Sequence, residues 1–179
     1  MAGCEIKLEV DARRWREALQ EARRRFLNMQ PAWEQVGEYM EGSIRQNFES
    51  GGRPQAWQPL KAATLLARAG GVGKAVLKKY QRTMVGQRGM AQLTKKGQRT
   101  IGGAKILIAA GNLLNSIHYV ANQNGVDIGS PLVYAATHQY GRTSGRGAPI
   151  PKREFLAVQK DDAEAITKII SDYLTEPMR

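Results

Sequence analysis

Residues 111–129 read GNLLNSIHYVANQNGVDIG, and this stretch decides the fold. Asn124-Gly125 near its end is a strong signal for a two-residue hairpin, because both residue types tolerate positive φ. We therefore predict a hairpin that joins a strand over 117–122 to a strand over 126–129. A short helical turn is expected just before the first strand.

A helix is predicted on the N-terminal side of this hairpin. Pro31 suits the first turn of a helix, where its missing N–H is not needed, and Gly51-Gly52 ends the helix. Apolar residues recur between these points at helical spacing, which predicts a buried face. That face consists of Val36, Met40, Ile44 and Phe48.

An earlier helix is predicted to begin after Asp11, whose carboxylate suits the N-cap position. Its apolar residues also recur at three- and four-residue steps, so we expect them to pack in the core. They are Trp15, Leu19, Ala22 and Phe26. Residues 5–10 alternate polar and apolar side chains, which predicts a half-buried strand ahead of this helix.

Further helices are predicted on the C-terminal side. Residues 132–140 suggest a short helix, and residues 141–151 a loop. Asp161-Asp162 opens a final helix, since acidic residues in the first turn complement the helix dipole. Its buried side is expected to consist of Ala165, Ile166, Ile169, Ile170, Tyr173 and Leu174.

This order of elements places the chain in the α+β class. We expect a small antiparallel sheet packed against amphipathic helices, with a long basic inserted segment. The 179 residues are enough for one domain with a hydrophobic core. We therefore predict a single domain over residues 1–179, with a basic, Gly-rich insertion at about 61–105.

Charge is distributed unevenly along the chain, whose formal net charge is +11. No Asp or Glu occurs from Ser50 to Val126, whereas 12 of the 27 basic residues lie there; the other 15 against 16 acidic residues leave −1. Such a stretch attracts polyanions, although a solvated loop without a specific partner has the same composition. We call residues 53–105 the basic segment; its charges are Arg53, Lys61, Arg68, Lys74, Lys78, Lys79, Arg82, Arg88, Lys95, Lys96, Arg99 and Lys105.

Cofactor and metal patterns are missing from the sequence. The Gly71-Val72-Gly73-Lys74 string departs from the phosphate-loop pattern, because Arg68 stands at the position of its first glycine. Two histidines and the single Cys4 are too few for a zinc site. One cysteine also excludes an internal disulfide, which fits a reducing compartment. We expect no cofactor.

Catalytic patterns are missing as well. His138 would need a nucleophile and an orienting carboxylate, and no recognised frame surrounds Ser116, Ser130 or Asp127. We therefore expect no enzyme. No apolar run approaches the roughly 18–20 residues that span a bilayer, so we expect no membrane partner.

The basic segment and its flanks carry no sequence-specific nucleic-acid motif. We find no zinc finger, RRM signature or clear helix-turn-helix. The aromatic residues Trp57, Tyr80 and Tyr119 are too sparse for a stacking platform. Contact with phosphates or with an acidic protein surface therefore fits better than base readout.

Five short strings, taken in order, carry a resemblance to a known family. We call them the five family strings; they cover residues 51–60, 106–117, 126–129, 134–141 and 149–156. Together they resemble the phage virion morphogenesis family, which includes the tail-completion proteins of Mu-like and P2-like phages.

Scaffold roles are expected for the residues of these strings. Gly51, Gly52 and Pro54 break a helix, Trp57 and Leu60 return to the core, and Phe155 and Leu156 point inward. The scaffold set is Gly51, Gly52, Trp57, Pro59, Leu60, Gly111, Leu113, Ser116, Ile117, Gly129, Tyr134, Ala135, His138, Gly141, Pro151, Arg153, Phe155 and Leu156.

The resemblance implies a structural virion protein of the neck or tail, present in the host cytoplasm during assembly. It would complete the tail and help join it to the DNA-filled head as a homo-oligomeric ring, often of six subunits. Its partners would be other neck and tail proteins and, nonspecifically, the genomic DNA in the channel. We expect the basic segment to face that DNA or a neighbouring subunit.

Two other functions stay open at this point. A free-standing protein that binds nucleic acid nonspecifically would account for the charge. A tail-associated nuclease or peptidoglycan-cleaving enzyme would need an acidic or metal cluster.

Overall fold

The computed structural model of the chain describes residues 12–61, 64–65, 68, 103–145 and 149–176. Within these residues lie five helices and one two-stranded sheet, which confirms the α+β class. The elements are α1 (Ala12–Leu27), α2 (Gln30–Ser50), α3 (Asn112–Asn115), β1 (His118–Asn122), β2 (Gly125–Gly129), α4 (Ala135–Tyr140) and α5 (Lys160–Thr175). The predicted strand over 5–10, Asp11 and most of the predicted insertion lie outside the described residues.

The hairpin forms where the sequence places it, with strand bounds that differ by one residue. Side-chain oxygen Oδ1 of Asn122 accepts hydrogen bonds from the backbone N–H groups of Asn124 (2.8 Å) and Gly125 (3.1 Å). The turn is therefore held by an Asx-type bond in addition to the backbone preference of Asn124-Gly125.

Helix α2 buries the predicted face. Val36, Met40, Ile44 and Phe48 are all at most 4 % exposed. The helix ends at Ser50, and the N–H of Gly52 donates to the carbonyl of Asn47 (2.9 Å).

The chain divides into two compact units. The first, which we call the helical unit, contains the described residues of 1–40, 119–127 and 160–179. The second, the core unit, contains those of 41–118 and 128–159.

In the helical unit, α1 contacts α5 through Arg25. The guanidinium of Arg25 donates to the carbonyl of Tyr173 (2.8 Å) and lies 5.3 Å from the centre of the Tyr173 ring. The same group pairs with Glu176. The Tyr173 hydroxyl donates to the carbonyl of Asn28 (2.8 Å). Polar contacts around one arginine therefore join these two helices.

The prediction that the apolar stripe of α1 packs in the core is wrong. Trp15 and Leu19 are each 55 % exposed and Phe26 is 67 % exposed, and α1 has no buried residue. Its partly buried positions are Ala18, Glu21, Ala22 and Arg25. Ala22 lies at the edge of the stripe, and the other three lie about a quarter of a turn or more from its centre, so α1 packs by its small and polar edge.

The predicted apolar side of α5 is only partly buried throughout. The buried residue of this helix is Asp162, at 2 % exposure, whose carboxylate accepts a hydrogen bond from the Tyr39 hydroxyl (3.3 Å). The described part of the helical unit therefore has a small core made mainly by α2.

The core unit contains the aromatic centre of the protein. The ring of Phe48 lies 5.8 Å from Trp57, edge to face, and 5.4 Å from Phe155, measured between centroids. Ile44, Leu113, Ile117 and Ala135 complete the buried cluster. Since Trp57 and Phe155 belong to the first and last family strings, the core is built from distant parts of the chain.

Candidate functional site

Trp57 fixes the first family string on the core. Its backbone N–H donates to the carbonyl of Gly51 (2.7 Å), and its indole Nε1–H donates to the carbonyl of Glu154 (3.1 Å). A Cβ at Gly52, where φ is 116°, would lie 2.7 Å from the carbonyl oxygen of Gln55. The turn that returns Trp57 to the core therefore requires glycine at position 52.

Arg53 is bound by the end of α2. Its guanidinium donates to the Asn47 side chain (2.7 Å), to the Gln46 side chain (2.9 Å) and to the carbonyl and hydroxyl of Ser43 (both 2.7 Å). Its own carbonyl accepts from Gln159 (3.0 Å). Arg53 is thus an internal tie between α2 and the first family string.

Asn47 stands behind this arginine and is fully buried. Its Nδ2 donates to the carbonyl of Phe155 (3.2 Å) while its Oδ1 accepts from Arg53. Because the carboxamide carries both a donor and an acceptor, one side chain joins the first string to the last.

Gln139 joins the fourth string to the fifth in the same way. Its Oε1 accepts from the backbone N–H groups of Phe155 and Leu156 (3.0 Å each), and its Nε2 donates to the carbonyl of Leu156 (2.8 Å). The backbone at 155–156 belongs to no strand among the described residues, and the glutamine amide satisfies its polar groups instead.

Arg153 is a buried cation, at 6 % exposure, that binds backbone. Its guanidinium donates twice to the carbonyl of Gln58 (3.0 and 3.2 Å), and its N–H donates to the carbonyl of His138 (2.8 Å). Burial, and then the nearby charge of Arg68, lower the pKa of Arg153. The first, fourth and fifth strings therefore meet at this residue, through its guanidinium and its backbone N–H.

His138 faces the interior without a catalytic frame. Its Nδ1 is buried and has no hydrogen-bond partner among the described residues, and its ring lies edge-on to Tyr134, 6.1 Å between centroids. Burial first, and the charge of Arg153 second, lower the pKa of His138. Both effects favour the neutral form of the imidazole, which serves as a packing group.

Gly141 allows the chain to pass close to the fifth string. Its φ is 78°, and a Cβ there would lie 2.9 Å from the backbone nitrogen of Lys152. The next residue, Arg142, exchanges two backbone hydrogen bonds with Ile150 (2.8 and 2.9 Å). An isolated antiparallel bridge thus closes the loop between the fourth and fifth strings.

The second and third strings supply the rest of the core. Leu113 and Ile117 are buried at 4 % exposure, and Ile128 packs against the cluster. The hydroxyl of Ser116 lies 2.7 Å from that of Ser130 and 2.7 Å from the carbonyl of Leu113. These serine hydroxyls hold the helix-to-strand turn.

The remaining scaffold residues vary in burial. Gly51, Leu60, Gly111, Gly129, Pro151 and Leu156 are partly buried, Ala135 is buried, and Pro59 and Tyr134 are exposed. Position 111 takes a left-handed conformation (φ 79°) directly before α3, which suits glycine.

Four of the 12 charges of the basic segment can be placed. Arg53 is bound internally, Lys61 reaches the carbonyl of Pro149 (3.5 Å), Arg68 donates to the carbonyl of Lys105 (2.8 Å), and Lys105 itself is exposed. The other charges, Lys74, Lys78, Lys79, Arg82, Arg88, Lys95, Lys96 and Arg99, lie outside the described residues.

Sequence reasoning missed two residues that join the strings. Asn47 lies three positions after Ile44 and beside Phe48, so a polar residue within the apolar face of α2 was an available signal. Gln139 gives no such signal, because its partners are backbone groups that only the fold brings near.

Two negative findings concern the described residues alone. None of their His, Cys, Asp and Glu side chains form a group of three or more suited to a metal ion. Among the same residues, every helix is too short or too polar to cross a membrane.

Comparisons with known proteins agree with the geometry. The model of the phage virion morphogenesis family matches residues 86–175, a range that contains four of the five strings. The Mu-like prophage FluMu G protein 2 of Haemophilus influenzae is 28 % identical over 171 residues, which cover 94 % of this chain and 95 % of that protein. No solved structure matches.

Proposed function

Because the chain belongs to the phage virion morphogenesis family, we propose that it is a structural protein of the neck or tail end. In this role it completes the tail and joins it to the DNA-filled head as one subunit of a homo-oligomeric ring, for which we propose six copies. Its neighbours are other neck and tail proteins of the phage. We further propose that residues 1–179 act as a single domain.

The observation that carries this proposal is that the family strings supply the core unit: four lie in it entirely, and the third contributes Ile128. The side chains of Trp57, Gln139 and Arg153 each donate hydrogen bonds to backbone carbonyls of another string. A structural subunit needs such hydrogen bonds between distant segments, because its contact surfaces must be held at fixed positions.

A non-enzymatic role fits the way in which the candidate polar groups are used. The Ser116 and Ser130 hydroxyls bond to each other, and burial lowers the pKa of His138, which favours its neutral form. Asp127 lies on an exposed strand position. These groups are therefore used for structure, and we propose that no catalytic step is carried out by them.

The basic segment supplies the proposed contact with the channel. Since Arg53, Lys61 and Arg68 each donate to carbonyls within the chain, this part of the proposal rests on the other nine charges. Phosphates attract such charges regardless of base sequence, which suits DNA that moves past the protein. An acidic surface of a neighbouring subunit would serve equally well for the same charges.

Complementation in vitro tests the proposal. Heads and tails are collected from a phage that lacks the gene, and purified wild-type chain is added. We expect infectious particles to be restored, and no restoration would contradict the proposal. A variant with Lys78, Lys79 and Arg82 changed to Gln should restore fewer particles, whereas the matched triple variant Lys160→Gln, Lys168→Gln and Arg45→Gln, outside the segment, should restore them fully.

The net charge of +11 favours one alternative, a free-standing protein that binds nucleic acid nonspecifically. That function predicts tight binding of DNA by the isolated chain, with log affinity falling steeply against log salt. The joining function predicts weak binding outside the assembly. A titration of duplex DNA at two salt concentrations distinguishes them.

A further inference from the structure

Helix α1 exposes an apolar stripe that the described part of the chain does not cover. Trp15, Leu19 and Phe26 are each more than half exposed. They follow one another at steps of four and seven residues and so share one face of the helix. A contiguous aromatic and aliphatic face of this kind marks an interaction site more often than an isolated exposed residue does.

The stripe is not the face that holds α1 on the protein. Contact with α5 runs through Arg25, while Ala18 and Ala22 are partly buried beside it. The stripe and the side of α1 that contacts α5 can therefore be occupied at the same time, and a partner on the stripe need not displace α5.

Two arginines flank the stripe on its open side, Arg16 and Arg23. Arg16 donates to the backbone carbonyl of Ala12 (3.1 Å), and neither arginine has an ion pair with any described residue. Other charges of the helix are used internally: Arg13 pairs with Glu17, and Arg24 and Arg25 pair with Glu21. We therefore expect a partner of the stripe to place carboxylates next to Arg16 and Arg23.

A second α1 does not meet this requirement. The helix carries six arginines against two glutamates, so two copies of α1 placed face to face would repel each other. Helix α2 has the opposite composition, with four glutamates and one arginine. Glu34 and Glu38 lie one turn apart on its exposed side, and neither pairs with a cation among the described residues.

We propose that the α1 stripe of one copy docks on the exposed acidic side of α2 in a second copy of this chain. Trp15, Leu19 and Phe26 then cover the aliphatic stems of that helix and the exposed part of Tyr39, while Arg16 and Arg23 reach Glu34 and Glu38. The apolar side chains supply most of the affinity, because exposed ion pairs contribute little, and the charges set the orientation.

This contact uses the α1 stripe of one copy and the acidic side of α2 of the other, so the pair keeps one free surface of each kind. Such a heterologous contact repeats and closes into a ring when its rotation allows. The inference rests on the proposed ring and names the surfaces that form it.

Sedimentation velocity of the full-length chain tests the contact. We expect the wild-type chain to self-associate with rising concentration. Leu19→Lys should weaken this association by at least about tenfold, since it puts a charge in place of a leucine that the proposed contact buries. Gln123→Lys adds the same charge at an exposed loop position outside both proposed surfaces and should leave association unchanged; circular dichroism confirms that both variants stay folded.

Charge reversal identifies the acceptor surface. Arg16→Glu with Arg23→Glu should weaken association by about two- to fivefold for each pair lost, and so should Glu34→Arg with Glu38→Arg. A mixture of these two double variants should associate again, because each provides the complement of the other. High salt should reduce all of these differences.

Several results would overturn the inference. They are a wild-type chain that stays monomeric at the highest concentration reached, normal association of Leu19→Lys, and a mixture of double variants that fails to associate. Failure of the proposed function gives a different result, since heads and tails would then join without this protein while the purified chain still associates through α1.

Discussion

Side-chain nitrogen Nδ2 of Asn47 donates a 3.2 Å hydrogen bond to the carbonyl oxygen of Phe155, which lies 108 residues further along the chain. The same carboxamide accepts from Arg53. Helix α2, the turn after it and the chain before α5 are therefore joined at one buried side chain. Loss of that side chain should affect all three.

Replacing Asn47 by Ala should destabilise the core unit by about 2 kcal/mol, because the carbonyl of Phe155 and the guanidinium of Arg53 both lose a buried partner. Urea denaturation followed by tryptophan fluorescence measures the change. The exposed Glu49→Ala, on the same turn of α2, should shift the free energy of unfolding by less than about 0.5 kcal/mol. Equal effects of both substitutions would contradict the role given to Asn47.

Gln139 offers a test of the tie between the fourth and fifth strings. Gln139→Ala removes the Nε2 donor of one hydrogen bond and the Oε1 acceptor of two others. We therefore expect the free energy of unfolding to fall by about 2–3 kcal/mol in the same assay. Gln139→Glu keeps the acceptor oxygen but places a carboxylate near the Leu156 carbonyl. It should therefore be less stable than the wild type at neutral pH and recover as the carboxyl is protonated at low pH. Gln123→Ala, at an exposed loop position, serves as the control.

The buried face of α2 could be predicted from the sequence, and that of α1 could not. Both helices show apolar residues at helical spacing, but the period reports only that a face is apolar. It does not report whether the same chain covers that face. In α2 the chain itself covers Val36, Met40, Ile44 and Phe48, whereas Trp15, Leu19 and Phe26 of α1 are exposed.

Hydrogen-bonding side chains were predicted less well than apolar ones. Their large apolar side chains and their sequence context identify Trp57 and Phe155 as core residues. Arg53 was grouped with the basic segment because charge alone does not show that α2 binds its guanidinium. Partners such as the Leu156 carbonyl are common to every residue, so no local pattern marks Gln139 as their ligand.

Two glycines on α2 should respond to alanine in opposite directions. A Cβ at Gly37 would overlap the ring of Tyr119 in β1, so Gly37→Ala should cost about 1–3 kcal/mol through overpacking. Gly42 has open space around it, and Gly42→Ala should stabilise the helix by about 0.5–1 kcal/mol. Thermal unfolding of both variants checks the prediction, and a shift of the same sign in both would refute it.

The pKa of His138 predicts a pH dependence of stability. Burial and Arg153 lower this pKa below the ordinary value of 6.5, so the unfolded chain binds a proton more readily than the folded one. The stabilisation from the neutral imidazole is therefore full above about pH 6.5 and is lost as the pH falls below it.

His138→Gln removes this contribution. The wild type should accordingly lose stability relative to this variant when urea midpoints are compared from pH 7.5 to about 5. His118→Gln, at an exposed strand position, is the matched control. A stability difference between wild type and His138→Gln that does not change with pH would contradict the buried, neutral imidazole.

Electron microscopy of particles from a phage that lacks the gene for this chain is the most direct test of the central claim. The joining role predicts DNA-filled heads and separate tails that do not connect, and the wild-type chain supplied in trans should restore joined particles. Complete, joined and infectious particles in the absence of the chain would contradict it.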